Sequence, residues 1–242
     1  MSIWGSLIGG MIGLSLGGPF GMLLGSLIGG KISRARSRGA GNFGSFAKPQ
    51  QIFALSLIVL SAKLSKVDGQ VSKEELIAVR NKLKIPESEI SNVGKIFNKA
   101  KEESTGYEPY AQQIAQIYKN NLNVLEEVIN ILFYIAESDG NVSQSELNMI
   151  QHIAQIFGLN QSQFNSIKES RKSSDKLNPY IVLESNPEEN LQSIRKKYLK
   201  LSKEHHPDIL TSKGVPTEVI EESKKKMRAI NSAWDQIQKL KS

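Results

Sequence analysis

The sequence predicts an all-α protein in three parts: a glycine-patterned helix or helical hairpin, a central helical bundle and a C-terminal helical hairpin. Three observations predict it. Glycine recurs at every fourth position from Gly5 to Gly29, in a segment without a charged side chain. An Asp-Gly turn between apolar helical stretches occurs twice, at Asp68 and at Asp139. Two apolar stripes of three-four-three spacing, Leu191 to Leu201 and Met227 to Ile237, flank a connection holding Pro207 and Pro216. No strand-like alternation appears between 49 and 172.

Composition narrows the function classes. The chain has 242 residues, 39% of them apolar and 23% charged, enough for a folded chain with a real core. It has no cysteine, which excludes a disulfide framework, a thiol nucleophile and cysteine-ligated zinc. Its three histidines, two of them adjacent (His205 and His206), argue against a multi-histidine metal site. The net charge of +7 is unevenly spread. Residues 31–48 hold five bases and no acid, 49–172 are near neutral, and 173–242 carry thirteen bases against ten acids. A nucleic-acid binder would be more uniformly basic, so no nucleic-acid partner is expected.

From Ile3 to Gly30 the only residues that are neither apolar nor glycine are Ser6, Ser15, Ser26 and Pro19. Residues four apart stack on one helix face, so the glycines form a shallow groove that a second helix can approach closely. Ten glycines cost a helix in water roughly 10 kcal/mol relative to alanine. In hydrocarbon the balance reverses, because every backbone amide must be satisfied internally. The segment resembles glycine-zipper membrane segments. Residues 1–30 are therefore expected to associate with a membrane, as one span or as a hairpin turned at Gly17-Gly18-Pro19. No base precedes the apolar run, unlike a secretory signal. The bases that follow (Lys31, Arg34, Arg36, Arg38, Lys48) keep the rest of the chain cytoplasmic by the positive-inside rule. Residues 31–48 read as a basic linker. A homodimer through the glycine groove stays open.

Residues 49–172 hold the doubled pattern. Asp68-Gly69-Gln70-Val71-Ser72 and Asp139-Gly140-Asn141-Val142-Ser143 sit 71 residues apart. Asp-Gly supplies a turn. Ser72 with Glu75, and Ser143 with Glu146, have capping-box spacing and open the next helix. About seven helices are expected here. Asp-Gly-x-Val-x-x-x-Glu also matches the second half of a calcium loop, but Leu64 and Ile135 stand where its first ligand belongs. What stays open beside turn-and-cap chemistry is weak divalent-cation binding by Asp68, Glu75, Asp139 and Glu146; no other cofactor is expected. The region resembles the TerB-like domain, an all-helical module with repeated Asp-Gly turns. The resemblance implies a cation-binding or interaction module.

Residues 173–242 hold the second hairpin. A helix starting near Pro187 or Glu188 places Leu191, Ile194, Tyr198 and Leu201 within about an 80° arc. Lys196, Lys200 and Lys203 project to the other side, flanked by Arg195 and Lys197. A return helix over about 217–240 carries Met227, Ile230, Trp234 and Ile237. Between them stands His206-Pro207-Asp208. Taken singly, the lysines are a solvated face and the tripeptide a turn. Their joint placement, with RKKYLKLSKEHHPD from Arg195 to Asp208 and AINSAW from Ala229 to Trp234, resembles a J domain. His205 and Trp234 stand where that family commonly has Tyr. Glycine-rich segment, TerB-like domain and J domain, in that order, resemble the DjlA type of DnaJ-like protein.

The resemblance implies a co-chaperone at the bacterial inner membrane, its C-terminal domains cytoplasmic, with a soluble form also open. The partner it implies is a DnaK-class chaperone whose ATP hydrolysis is stimulated. Arg195, Lys196, Lys197, Lys200 and Lys203 would steer the encounter, and His206, Pro207 and Asp208 would couple docking to hydrolysis. The alternative makes the TerB-like bundle a sensor of cations or envelope stress, with the J domain as output. No feature gathers a catalytic acid and base, so the chain is not expected to be an enzyme. The sequence holds neither a Gly/Phe-rich segment nor cysteine zinc repeats, so the bundle or the membrane address is expected to choose where the chaperone works.

Overall fold

The computed structural model describes residues 18–28, 49–67, 73–103, 106–173, 176–213 and 220–241. Among them every regular element is helical. The helices are α1 (Gly18–Ile28), α2 (Pro49–Val67), α3 (Lys73–Lys82), α4 (Glu87–Glu102), α5 (Glu108–Ile117), α6 (Leu122–Ala136), α7 (Gln144–Ile156), α8 (Gln161–Glu169), α9 (Pro179–Val182), α10 (Leu191–Glu204), α11 (Pro207–Ser212) and α12 (Ile220–Lys241). Seven of these, α2 to α8, lie within 49–172, as the spacing predicts.

The bundle is organised around α2 and α6, which are buried on nearly every face. A helix buried all round belongs at the centre of a core. Val124, Val128, Ile131, Leu132 and Ile135 of α6 meet Leu57, Ile58, Leu60 and Leu64 of α2 in one continuous cluster. The other helices of the bundle lean one face on this pair. At the second Asp-Gly turn Gly140 has φ +96°, a region that L side chains rarely adopt, so glycine is required there. Ser143 then opens α7 with a complete capping box. Its Oγ accepts from Glu146 N at 3.1 Å, and Glu146 Oε2 accepts from Ser143 N at 2.8 Å. The first Asp-Gly turn, with Asp68 and Ser72, lies outside the described residues.

The glycine-rich segment is described only in part. Its described part, α1, packs on α4 and α5. Phe20 and Leu23 are buried in the bundle core, and the Phe20 ring meets Tyr110 edge-on at 5.1 Å. Pro19 stands in the first turn of α1, where its missing N–H costs nothing. Gly18 has φ +70°, and a Cβ there would stand 3.1 Å from Gln113 Oε1. Eleven residues rise only ~16 Å, about half a hydrocarbon layer. Among the described residues no helix is long and apolar enough to cross a membrane. Residues 1–17 and 29–48 lie outside the described residues.

A second, smaller core joins Leu177, Val182, Leu183, Ile194, Leu201, Ile230, Ala233, Trp234 and Ile237. It is built by α9, α10 and α12. The Tyr198 and Trp234 rings stack at 5.1 Å, only 9° from parallel. The return stripe is buried at Ile230, Trp234 and Ile237, whereas Leu191 sits exposed at the edge of its own stripe. Helix α10 starts at Leu191, later than Pro187 or Glu188. Asn190 Oδ1 accepts from Ser193 N at 2.8 Å, and Asn186 Oδ1 accepts from Glu188 N at 2.9 Å. Two side-chain caps in succession hold 186–190 as a turn and leave the helix to begin after the second.

Candidate functional site

The tripeptide lies where α10 ends. His205 donates its N–H to Leu201 O at 3.0 Å and closes the last turn. Helix α10 stops there, and Pro207 opens a short helix rather than an irregular loop. Proline is pre-shaped for the first helical position and its absent N–H is not missed there. His206 caps this helix: its Nδ1 accepts from Asp208 N at 3.3 Å. Asp208 sits in the first turn, where the helix dipole favours a carboxylate. Thr211 Oγ1 donates to Pro207 O at 3.0 Å. The His206 side chain is 52% exposed and that of Asp208 91%, so both point to solvent.

The cationic face of α10 runs up to this corner. Arg195, Lys196, Lys200 and Lys203 are exposed. Lys200 Nζ stands 4.0 Å from Glu204 Oε1, an open pair worth little in water. Lys197 behaves differently. Its Nζ donates to Glu189 Oε1 and to Glu184 O, both at 2.7 Å, so it braces the chain before α10. The Glu189 carboxyl is held below its ordinary range, first by the hydrogen bond from Lys197.

Behind the corner the chain is not free. Leu210 of α11 is fully buried, and it belongs to the bundle core rather than to the hairpin core. The His205 side chain is 1% exposed, and its Nε2 lies 3.0 Å from Glu126 Oε2 on α6. Lys226 of α12 donates its Nζ to the same oxygen at 2.8 Å. Gln163 of α8 donates its Nε2 to Glu126 Oε1 at 3.2 Å. One turn earlier on α6, Asn123 Nδ2 donates to Glu204 O at 2.8 Å, and Asn123 Oδ1 accepts from Lys213 Nζ at 3.0 Å. The tripeptide is therefore not the tip of a freely projecting prong. It is seated on the bundle with its two polar side chains outward.

The charges in this knot are set by burial and proximity. Burial alone would raise the Glu126 carboxyl, but Lys226 and then His205 outweigh it and hold it well below the usual carboxylate range. His205 is held below the usual imidazole range, first by burial and then by Lys226. Near neutral pH the knot is thus an ion pair beside a neutral imidazole.

The four carboxylates considered for a cation fare unevenly. Asp139 Oδ1 accepts from Asn141 N at 3.0 Å and Glu146 Oε2 serves the capping box, so each satisfies a backbone N–H of its own turn. Asp68 and the side chain of Glu75 lie outside the described residues. Among the described residues no three acids or histidines gather as a metal would require. His152 Nδ1 lies 2.8 Å from Tyr107 OH on the bundle surface.

Reading the sequence assigned no place at this corner to Glu126, Asn123, Lys226 or Leu210. One signal was present. Glu126 and Glu127 interrupt an otherwise apolar run, and a carboxylate inside a helix buried on all faces needs a cation from elsewhere in the chain.

Residues 54–169 match the family model for tellurite resistance protein TerB, and residues 1–39 match that for the co-chaperone DjlA transmembrane domain. The chain is 27% identical to the co-chaperone protein DjlA of Vibrio parahaemolyticus over 83% of each chain. It is 26% identical to that of Photobacterium profundum over 99% of each. It is 24% identical to that of Escherichia coli K12, over 100% of this chain and 99% of the relative. No solved structure matches.

Proposed function

The chain belongs to the DjlA-type co-chaperones, and from that premise we propose that it stimulates ATP hydrolysis by a DnaK-class chaperone. The observation that carries the reading is the outward presentation of His206 and Asp208 beside the open cationic face of α10. Arg195, Lys196, Lys200 and Lys203 steer an acidic partner surface toward the corner. Lys197 contributes through the brace it forms with Glu189. Pro207 fixes the direction of α11, and Asp208 offers its carboxylate to a cationic group of the partner. His206 contributes an imidazole edge. The hydrolysis belongs to the partner, and this chain acts by binding.

The match of residues 1–39 to a transmembrane domain associates the chain with a membrane. We place the bundle and hairpin on the cytoplasmic side of the bacterial inner membrane, where ATP and the partner are. A homodimer through the glycine groove would pair two such sites.

The test is single-turnover ATP hydrolysis by a DnaK-class chaperone, with the full chain in detergent micelles. Wild type accelerates turnover, and His206→Gln loses ~10-fold or more of the acceleration, since a contact made only in the productive state acts on the maximal rate. Equal acceleration by the two removes the assigned role.

A further inference from the structure

The residues that hold the His206-Pro207-Asp208 corner come from the bundle. Glu126 joins four elements at one carboxylate: α6 that carries it, α8 through Gln163, the α10–α11 corner through His205, and α12 through Lys226. Asn123 brackets the tripeptide, bonding Glu204 O before it and Lys213 Nζ after it. Leu210, one turn into α11, is sunk in the bundle core. All of these anchors are buried or half-buried, whereas His206 and Asp208 face away from the bundle. The bundle therefore leaves the recognition side chains open and grips the backbone that aims them.

We infer that Glu126, assisted by Asn123, is a positioning residue for the His-Pro-Asp corner, so that the bundle sets its direction toward the partner. The inference rests on the proposed stimulation of a DnaK-class ATPase by that corner. Its physical basis is the buried knot. A carboxylate shared by an ammonium and an imidazole away from water has few alternative arrangements, because any that unpairs it leaves a buried charge. A displacement of α6 is thereby passed to residues 204–213 directly. His205 carries the coupling at the corner itself, where its imidazole Nε2 meets Glu126 Oε2 at 3.0 Å.

The experiment compares the full-length wild type, Glu126→Gln, Asn123→Ala and His206→Gln in the same turnover assay, and follows amide hydrogen exchange in each. Glu126→Gln keeps the shape and removes the charge. Its maximal stimulation should fall ~10-fold, the scale on which slight misplacement of a reacting group is felt. Its half-saturating concentration should stay within about twofold, since the cationic face of α10 is untouched. Exchange should speed most at 205–213 and much less through 124–136. Asn123→Ala, which removes no charge, should show the same split more weakly and guards against a misfolded first variant. Wild-type stimulation and exchange in both variants would overturn the inference. So would a loss in which half-saturation, maximal rate and exchange across α6 all deteriorate together, for that marks general unfolding. If His206→Gln stimulates normally, the functional reading fails instead. The exchange result then decides alone whether the bundle holds the corner.

Discussion

His205 and His206 are neighbours in sequence and opposites in environment. One is 1% exposed against a buried carboxylate, and the other is half exposed beside an open cationic face. Helix α10 ends at one and α11 is capped by the other, so two identical side chains meet different surroundings. The difference teaches where each kind of force acts. On the buried side electrostatics is strong and hydrogen-bonded, and it fixes geometry. On the exposed side it is screened and long-ranged, and it guides an encounter. A corner that has to be both held and offered needs one side of each kind.

The largest expected effect falls on the buried side. Lys226→Met leaves the Glu126 carboxylate without its cation, and breaking a buried pair in this way costs about 3–5 kcal/mol. Denaturant unfolding of the full chain should register most of that loss. Replacing both partners, Glu126→Leu with Lys226→Met, should recover much of it, since no charge then remains buried. Two variants of equal stability would mean the knot is not the clamp its geometry describes.

Acid should reach the same side next. The unfolded chain takes up a proton at a free histidine near pH 6.5. His205 in the fold resists that proton, because it is buried and stands beside Lys226. The groups facing it are Glu126 from α6, Lys226 from α12 and Glu204 from its own helix. The unfolded state thus binds more protons, and the stability His205 contributes is full above about pH 6.5 and is lost as pH falls below it. Glu126, whose carboxyl is held low in the fold, adds a second loss as pH drops below the ordinary carboxylate range. His205→Phe should flatten the upper part of this profile, measured by thermal melting between pH 7.5 and 5 as a range of about two units around the histidine value. An unchanged profile would place the titrating group elsewhere.

These two effects also mark what the sequence could and could not disclose. The all-α class, the helices of the bundle and the cap at Ser143 follow from local spacing, and local spacing is what a sequence displays. His206, Pro207 and Asp208 were legible because they are contiguous. Glu126 and Lys226 are 100 positions apart and on different helices. Nothing in either neighbourhood names the other, and only the packing of α6 against α12 brings them within 2.8 Å. The same reason hid the seat of α11. Ile209-Leu210 reads as a short apolar pair in a polar connection until the bundle core is there to receive Leu210. The start of α10 was missed for a more local reason, since Asn186 and Asn190 compete as caps and the later one wins.

The smallest effect belongs to the exposed side, and it is the cleanest way to separate the two. Lys196→Ala and Lys203→Ala remove solvated charges that touch neither core. Each should leave stability within about 0.5 kcal/mol, as surface changes away from buried networks do. Each should still slow association with the partner by a few-fold, because steering sums over the whole face and loses a share with every charge. The deficit should shrink as salt is raised from about 50 to 300 mM and the Debye length falls toward the spacing of the lysines. Stopped-flow association at several salt concentrations, set beside melting curves, measures both quantities on the same variants. A lysine whose removal lowers stability as much as it slows association would join the held side of the corner. The division between a gripped face and an offered one would then have to be redrawn at that residue.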